Sequence, residues 1–264
     1  MIYNLPRKKR KQITNYLTFS SPNPFSIRVA TPGWDGKLYY STDTKTWAEW
    51  TGNEVNATEA DGTYALYFAG VGNTKITGGD YDGWTLNGSS ISCTGNIENL
   101  LDYETVAVGQ HPTMADSCYY SMFRDCTSLT TAPSLPATTL AAYCYYYMFG
   151  GCTSLTTAPS LPATTLAIHC YDYMFGGCTS LTTAPSLPAT TLAIYCYYYM
   201  FRDCTSIKLA ISQSSEYDKE YRIPKSGNGA NSYNALKNMF AGTGGTFTGT
   251  PSINTTYYTS NTIV

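Results

Sequence analysis

Sixteen residues, CTSLTTAPSLPATTLA, occur three times without a change, beginning at Cys126, Cys152 and Cys178. A catalytic centre needs one constellation of unlike groups, whereas a stretch repeated at a fixed step of 26 residues specifies a repeated structural unit. The step reaches beyond the identical letters. Cys118, Cys144, Cys170 and Cys196 keep it, as do Cys126, Cys152, Cys178 and Cys204, and so do Met122-Phe123, Met148-Phe149, Met174-Phe175 and Met200-Phe201. A period of roughly 20–50 residues is the mark of a solenoid or related array, in which each coil buries its apolar side only against its neighbours.

This periodicity decides how the cysteines are read. Like-numbered cysteines on coils stacked about 4.8 Å apart form two ladders whose side chains point the same way, whereas a disulfide needs Cβ atoms turned towards each other. Both ladders are therefore expected to be reduced, buried thiols. No C-x2-C pair is present and ladder sulfurs do not converge tetrahedrally, so no metal is expected.

Within one coil, Leu129, Ala132, Leu135 and Leu140 supply an inward apolar set. The Thr-rich LTTA suits a strand of three or four residues, which the donor-lacking Pro133 and Pro136 end in every copy. Cys144, Tyr145, Met148, Phe149 and Cys152 follow steps of one, three, one and three, which predicts a short helix or 3₁₀ turn with Tyr146 and Tyr147 facing outward.

The phrase MFGGCTSLTTAPSLPATTL resembles the BspA-like leucine-rich repeats of gut bacteria and their phages. Met148-Phe149 and Met174-Phe175 stand where that family carries its Ala-Phe pair, and Cys152 and Cys178 match its cysteine. The resemblance covers roughly residues 95–210. Here each coil is a few residues longer, and Ala132 and Pro133 fall within the strand. It implies a right-handed solenoid, a binding or adhesive role, and no cofactor.

The flanks read differently. In residues 16–92, Phe25, Ile27 and Val29 alternate, and Leu38-Tyr39-Tyr40 and the run at residues 64–68 are strand-like, with Gly- and Asp-rich turns between them. They predict a small antiparallel β-sandwich that covers the first coil. YSTDTKTW at residues 40–47 is like the Asp-box turn of sialidases and propellers, but it is one residue short, lacks the glycine and occurs once. After Cys204 the period fails, and Met239-Phe240 echoes it once more. The expected organisation is mainly β: a basic disordered arm at 1–15, a sandwich-like domain at 16–92, a leucine-rich-repeat solenoid of 26-residue coils at 93–210, and a C-terminal cap at 211–264.

Charge says little about partners except at the N-terminus. Residues 7–11 hold five of the 16 basic residues, so the rest of the chain is acidic on balance and nucleic-acid binding is not expected as the main role. No apolar h-region follows the basic run, so no secretory signal is expected, and the apolar stretch at residues 64–69 is too short to span a bilayer.

Catalytic candidates are scarce. The two histidines are His111 and His169, and no G-x-S-x-G, H-E-x-x-H or phosphate-cradling glycine loop occurs. Tyrosine, by contrast, contributes 25 residues, and it makes large contact area at low entropic cost. Otherwise near-identical copies differ at Ala142/Ile168/Ile194, Tyr143/His169/Tyr195, Tyr146/Asp172/Tyr198 and Arg124-Asp125 against Gly150-Gly151 and Gly176-Gly177. The expectation is a non-catalytic recognition or adhesion protein with no cofactor. Its binding residues would be Tyr146, Tyr147, Asp172, Tyr173, Tyr198 and Tyr199, and its partner a glycan or protein on a cell surface. The setting would be a virion or cell surface, where the basic arm docks to other virion proteins and a homo-oligomer is compatible. A structural subunit of a virion fibre, decoration or filament is the alternative.

Overall fold

The computed structural model describes residues 12–79, 83–223, 233–253 and 255–264, and these are mainly β, with 28% in strands and one helix among them. The basic run at residues 7–11 lies outside the described residues. The chain is already packed by Ile13, which is buried with Ala69 and Tyr103.

The first part builds two antiparallel sheets. In chain order its strands are β1 (Leu17–Ser21), β2 (Ser26–Val29), β3 (Lys37–Ser41), β4 (Ala48–Trp50), β5 (Val55–Asn56), β6 (Thr58–Ala60), β7 (Thr63–Val71), β8 (Trp84–Asn87) and β9 (Ile91–Thr94). The larger sheet runs β9-β1-β7-β3-β4 with β6 also on β7, and the smaller runs β5-β2-β8. Alternation along β1 buries Leu17, Phe19 and Ser21, as a period of two requires. The sheets share an aromatic core in which Trp84 of β8 meets Phe19, Phe68 and Trp50 at ring distances of 5.9, 5.2 and 4.9 Å. The helix α1 (Asn99–Ala107) lies against β7, where a Cβ on Gly70 would sit 1.6 Å from the Leu100 carbonyl oxygen. Only glycine permits that approach.

This sheet continues into the repeats. β10 (Leu129–Thr131) pairs in parallel with β9, and the Trp84 and Ile76 amides donate to Met122 and Cys118 carbonyls. The boundary expected at 92/93 thus falls inside β9, because that strand serves as a rung for the first copy.

The segment expected to be a short helix or 3₁₀ turn is a ribbon of successive four-residue turns, not a continuous helix. Its amides alternate in use. Those of Tyr146, Met148, Gly150 and Cys152 donate three residues back, to Tyr143, Tyr145, Tyr147 and Phe149 carbonyls. Those of Tyr143, Tyr145, Tyr147, Phe149 and Gly151 donate to Ile168, Cys170, Asp172, Met174 and Gly176 in the next copy. A helix would spend every interior amide on its own turn and leave none for a neighbour. The ribbon requires a left-handed residue every fourth position: Tyr143, Tyr147 and Gly151, then His169, Tyr173 and Gly177, then Tyr195, Tyr199 and Asp203. A helix interior cannot hold these. Two residues of each four point inward and two outward, which reproduces the observed steps of one and three.

Identical residues stack from copy to copy. Phe123, Phe149, Phe175, Phe201 and Phe240 form a column at 5.4–5.7 Å, and Tyr119, Tyr145, Tyr171 and Tyr197 form another at 5.7–5.8 Å. All nine cysteines are buried and free. The thiols of Cys152, Cys178 and Cys204 donate to the carbonyls of Phe123, Phe149 and Phe175 at 2.9–3.0 Å.

Beyond Cys204, residues 233–243 form a fifth rung, taking bonds from Tyr195, Tyr197, Tyr199, Phe201 and Asp203 amides, with Asn234, Asn238 and Gly242 at its left-handed positions. Around it lie β11 (Thr183–Ala184), β12 (Lys208–Ala210), β13 (Lys219–Arg222), β14 (Gly244–Gly245), β15 (Thr256–Thr259) and β16 (Thr262–Ile263). β13-β15-β12-β14 form one sheet, and β16 pairs in parallel with β11. Asn261 ties these together: its Oδ1 accepts the Lys208 amide and its Nδ2 donates to Thr182 and Ser206 carbonyls.

Candidate functional site

The outward pairs of each rung build a face of aligned rings. Tyr143, His169 and Tyr195 stack at 4.6 and 4.5 Å, nearly parallel. Tyr147, Tyr173 and Tyr199 stack beside them at 5.0 and 4.8 Å. Tyr120 stacks on Tyr146 at 4.6 Å, while Tyr198 meets Tyr199 and Tyr195 edge-on at 4.2 and 5.0 Å. Two arginines edge the face: Arg124 lies 5.0 Å over Tyr147, and Arg202 lies 5.0 Å over Tyr199 and donates to the Tyr173 hydroxyl. Ile168, Ile194 and Tyr233 stand next to the rings at 38, 43 and 66% exposure.

The expected binding residues divide. Tyr146, Tyr147, Tyr173, Tyr198 and Tyr199 are half-buried members of this face. Asp172 is not on the outer surface: it is only 2% exposed. It occupies the place of Tyr146 and Tyr198, but its short side chain turns to His169, whose Nδ1 lies 2.5 Å from Oδ2. Oδ1 is buried without a partner. Burial pushes the Asp172 carboxyl up to about 8 and pulls the His169 imidazole down. Neither charged form is welcome there.

The middle rings of the columns, His169 and Tyr173, do not offer their flat sides. In a column at 4.5–5.0 Å each interior ring has a neighbour on both faces, so solvent meets edges and hydroxyls. Stacking of a sugar ring is therefore blocked at Tyr173 and His169, the middle rings of their columns. Several members of the face lay outside the expected site: Tyr143, His169, Tyr195, Arg124, Arg202, Ile168 and Ile194. Variation between copies had marked most of these positions, and the four-residue period collects them on one side.

The opposite strand side presents Thr131 and a groove of about 410 Å³ between Pro133, Pro136, Pro159 and Pro162. The thiols make poor nucleophiles: burial raises every one, Cys126, Cys178 and Cys196 to about 12. Among the described residues no three metal-binding side chains gather, and no helix is long and apolar enough to cross a membrane. No protein-family model, curated protein or solved structure matches this chain.

Proposed function

We propose that the chain is a non-catalytic recognition protein and that its outer tyrosine face binds a protein on a cell surface. In this reading the stacked copies are a solenoid of the BspA-like leucine-rich-repeat type, capped by the two-sheet unit at one end and by the residues after Cys204 at the other. The observation that carries the reading is the aligned face of Tyr143, Tyr147, Tyr173, Tyr195 and Tyr199, with exposed Ile168 and Ile194 and arginines at its edges. Tyr and Arg are the residues that dominate binding energy at protein interfaces. Ring edges with hydroxyls suit a protein surface better than a sugar face. A virion or cell-surface setting rests on the sequence resemblance alone.

Tyr147→Gly and Tyr199→Gly test the face cleanly. Each removes a ring at a left-handed position, φ 55° and 52°, that glycine accepts, so the ribbon is kept. Binding of labelled protein to intact host cells should fall at least about tenfold in each variant, the effect of losing one interface anchor. Cell binding unchanged in both, with loss in a Thr131→Arg variant, would move the site to the strand side. The absence of any cell binding, together with ordered self-assembly, would favour a structural subunit.

A further inference from the structure

A cleft of about 460 Å³ on the first unit is lined by none of the residues of the tyrosine face. Its walls combine Trp47, Tyr39 and Tyr103 with the polar ends of Gln12, Lys45, Thr46 and Glu104. From this geometry we propose that the cleft binds a neutral pyranose, such as the terminal residue of a glycan. The inference goes beyond the protein-recognition reading and uses none of its residues.

Three features carry it. First, the wall is built before any ligand arrives. The Asp43 carboxylate accepts the Lys45 and Thr46 amides at 2.9 and 2.7 Å and the Ser41 hydroxyl at 3.0 Å, fixing the turn that presents Lys45, Thr46 and Trp47. These bonds to the charged form hold Asp43 down to about 2, so the turn stays locked across the neutral range. The Trp47 indole N–H donates to the Thr44 carbonyl at 3.1 Å, and its ring meets Tyr16 at 5.7 Å, which fixes the ring plane. A wall ordered in advance costs a ligand little entropy.

Second, the chemistry is mixed in the way a sugar needs. A pyranose has apolar C–H faces and a rim of hydroxyls. Trp47 and Tyr39 supply broad apolar area that is half exposed, unlike Trp50 and Trp84 in the core. The Lys45 ammonium donates and the Glu104 carboxylate accepts, so neighbouring hydroxyls find partners of both kinds. Glu104 is itself steadied by the Tyr103 hydroxyl at 3.3 Å. Third, Trp47 belongs to no ring column, and its contacts of this kind are with Tyr16. That distinguishes it from the middle rings of the outward columns, His169 and Tyr173, whose faces are taken.

Saturation-transfer NMR on the full chain, with methyl glucoside, methyl galactoside and N-acetylglucosamine as probes, tests the proposal. At least one probe should show saturable transfer at up to about 20 mM, the range of a weak single-ring ligand. Trp47→Ala should reduce that transfer at least tenfold with the melting temperature kept, Trp47→Phe should retain it, and Glu104→Gln should weaken it several-fold. Should Trp47→Ala lose its fold, the Glu104→Gln and Trp47→Phe results still decide. No saturable transfer from any probe, or transfer unchanged in Trp47→Ala or Glu104→Gln, overturns it. Tyr147→Gly should leave sugar binding intact, so failure here is distinguishable from failure at the tyrosine face.

Discussion

Replacing Asp172 by asparagine removes the one titratable carboxyl packed inside the tyrosine face. In the folded chain burial holds that carboxyl protonated up to about pH 8, whereas in the unfolded chain it ionises near 3.8. Between those values the unfolded state has released a proton that the folded state keeps, so stability falls as pH rises. His169 acts in the opposite sense: its folded value is depressed below 6.5, so just below pH 6.5 the unfolded state holds the extra proton. The two terms oppose each other there, and the carboxyl term stands alone from about 6.5 to 8.

At about 1.36 kcal/mol per pH unit for one proton, that window is worth roughly 2 kcal/mol. For a chain of this size the corresponding shift in Tm is about 4–8 °C. Thermal unfolding followed by circular dichroism at pH 6.5, 7.0, 7.5 and 8.0 measures it in wild type and Asp172→Asn. Buried thiols and tyrosines also keep their protons on folding and lower stability at higher pH, but both proteins share that loss. The quantity to follow is therefore the difference between the two. It should change by roughly 2 kcal/mol in favour of asparagine across the window. Parallel curves for the two proteins would refute the reasoning, because the proton would then be held elsewhere.

Four further outcomes are expected. Phe175→Ala, in the column between Phe149 and Phe201, should cost about 3–5 kcal/mol in denaturant unfolding, since a core aromatic leaves a cavity. Asn261→Ala should cost about 2–4 kcal/mol, because it strands the Lys208 amide and the Thr182 and Ser206 carbonyls. Native protein should react with a thiol reagent at none of its nine cysteines at neutral pH, and all nine should react in denaturant. The double change His169→Tyr with Asp172→Tyr, which copies the rungs on either side, should raise Tm at pH 8 and abolish the difference described above.

Much of the stack was legible because a fixed step leaves little freedom. Once Phe149 and Phe175 repeat at the same interval as Cys152 and Cys178, inward columns and unpaired thiols follow. The ribbon was not legible from its apolar spacing, because steps of one and three fit both a helix face and a period of four with two residues inward. What separates them is the outward pair. Its second residue is Asp125, Gly151, Gly177, Asp203 or Gly242, types that tolerate the left-handed region, and a helix has no use for them every fourth position. Tyr147 and Tyr173 hide the rule by adopting that conformation with a ring, at a cost that the stacking and inter-rung bonds offset. Asp172 was misplaced for a related reason: position in the ribbon points it outward, but side-chain length decides whether it gets there. YSTDTKTW drew attention only as a turn, because the cleft that Trp47 lines is built with Gln12, Tyr39 and Tyr103 from distant parts of the chain.

The same geometry explains why the copies agree where they agree. A Phe in the middle of a column touches the Phe above and the Phe below, so one altered rung disturbs two others. Identical letters are then the simplest set of mutually compatible side chains. Outward positions carry that constraint only along their own column, and there the copies differ. His169 still lies flat between Tyr143 and Tyr195, so the imidazole keeps the column planar. Asp172 cannot continue its column as a ring, and it is three residues from His169, within one turn and in direct contact. The two departures from the repeat therefore form one unit: the buried carboxyl and the half-buried imidazole each supply the partner that the other needs. Either change alone would leave a buried carboxyl or a half-buried imidazole facing a tyrosine. Asp172→Tyr by itself should thus stabilise less than the double change, and the shortfall measures the coupling between the two sites.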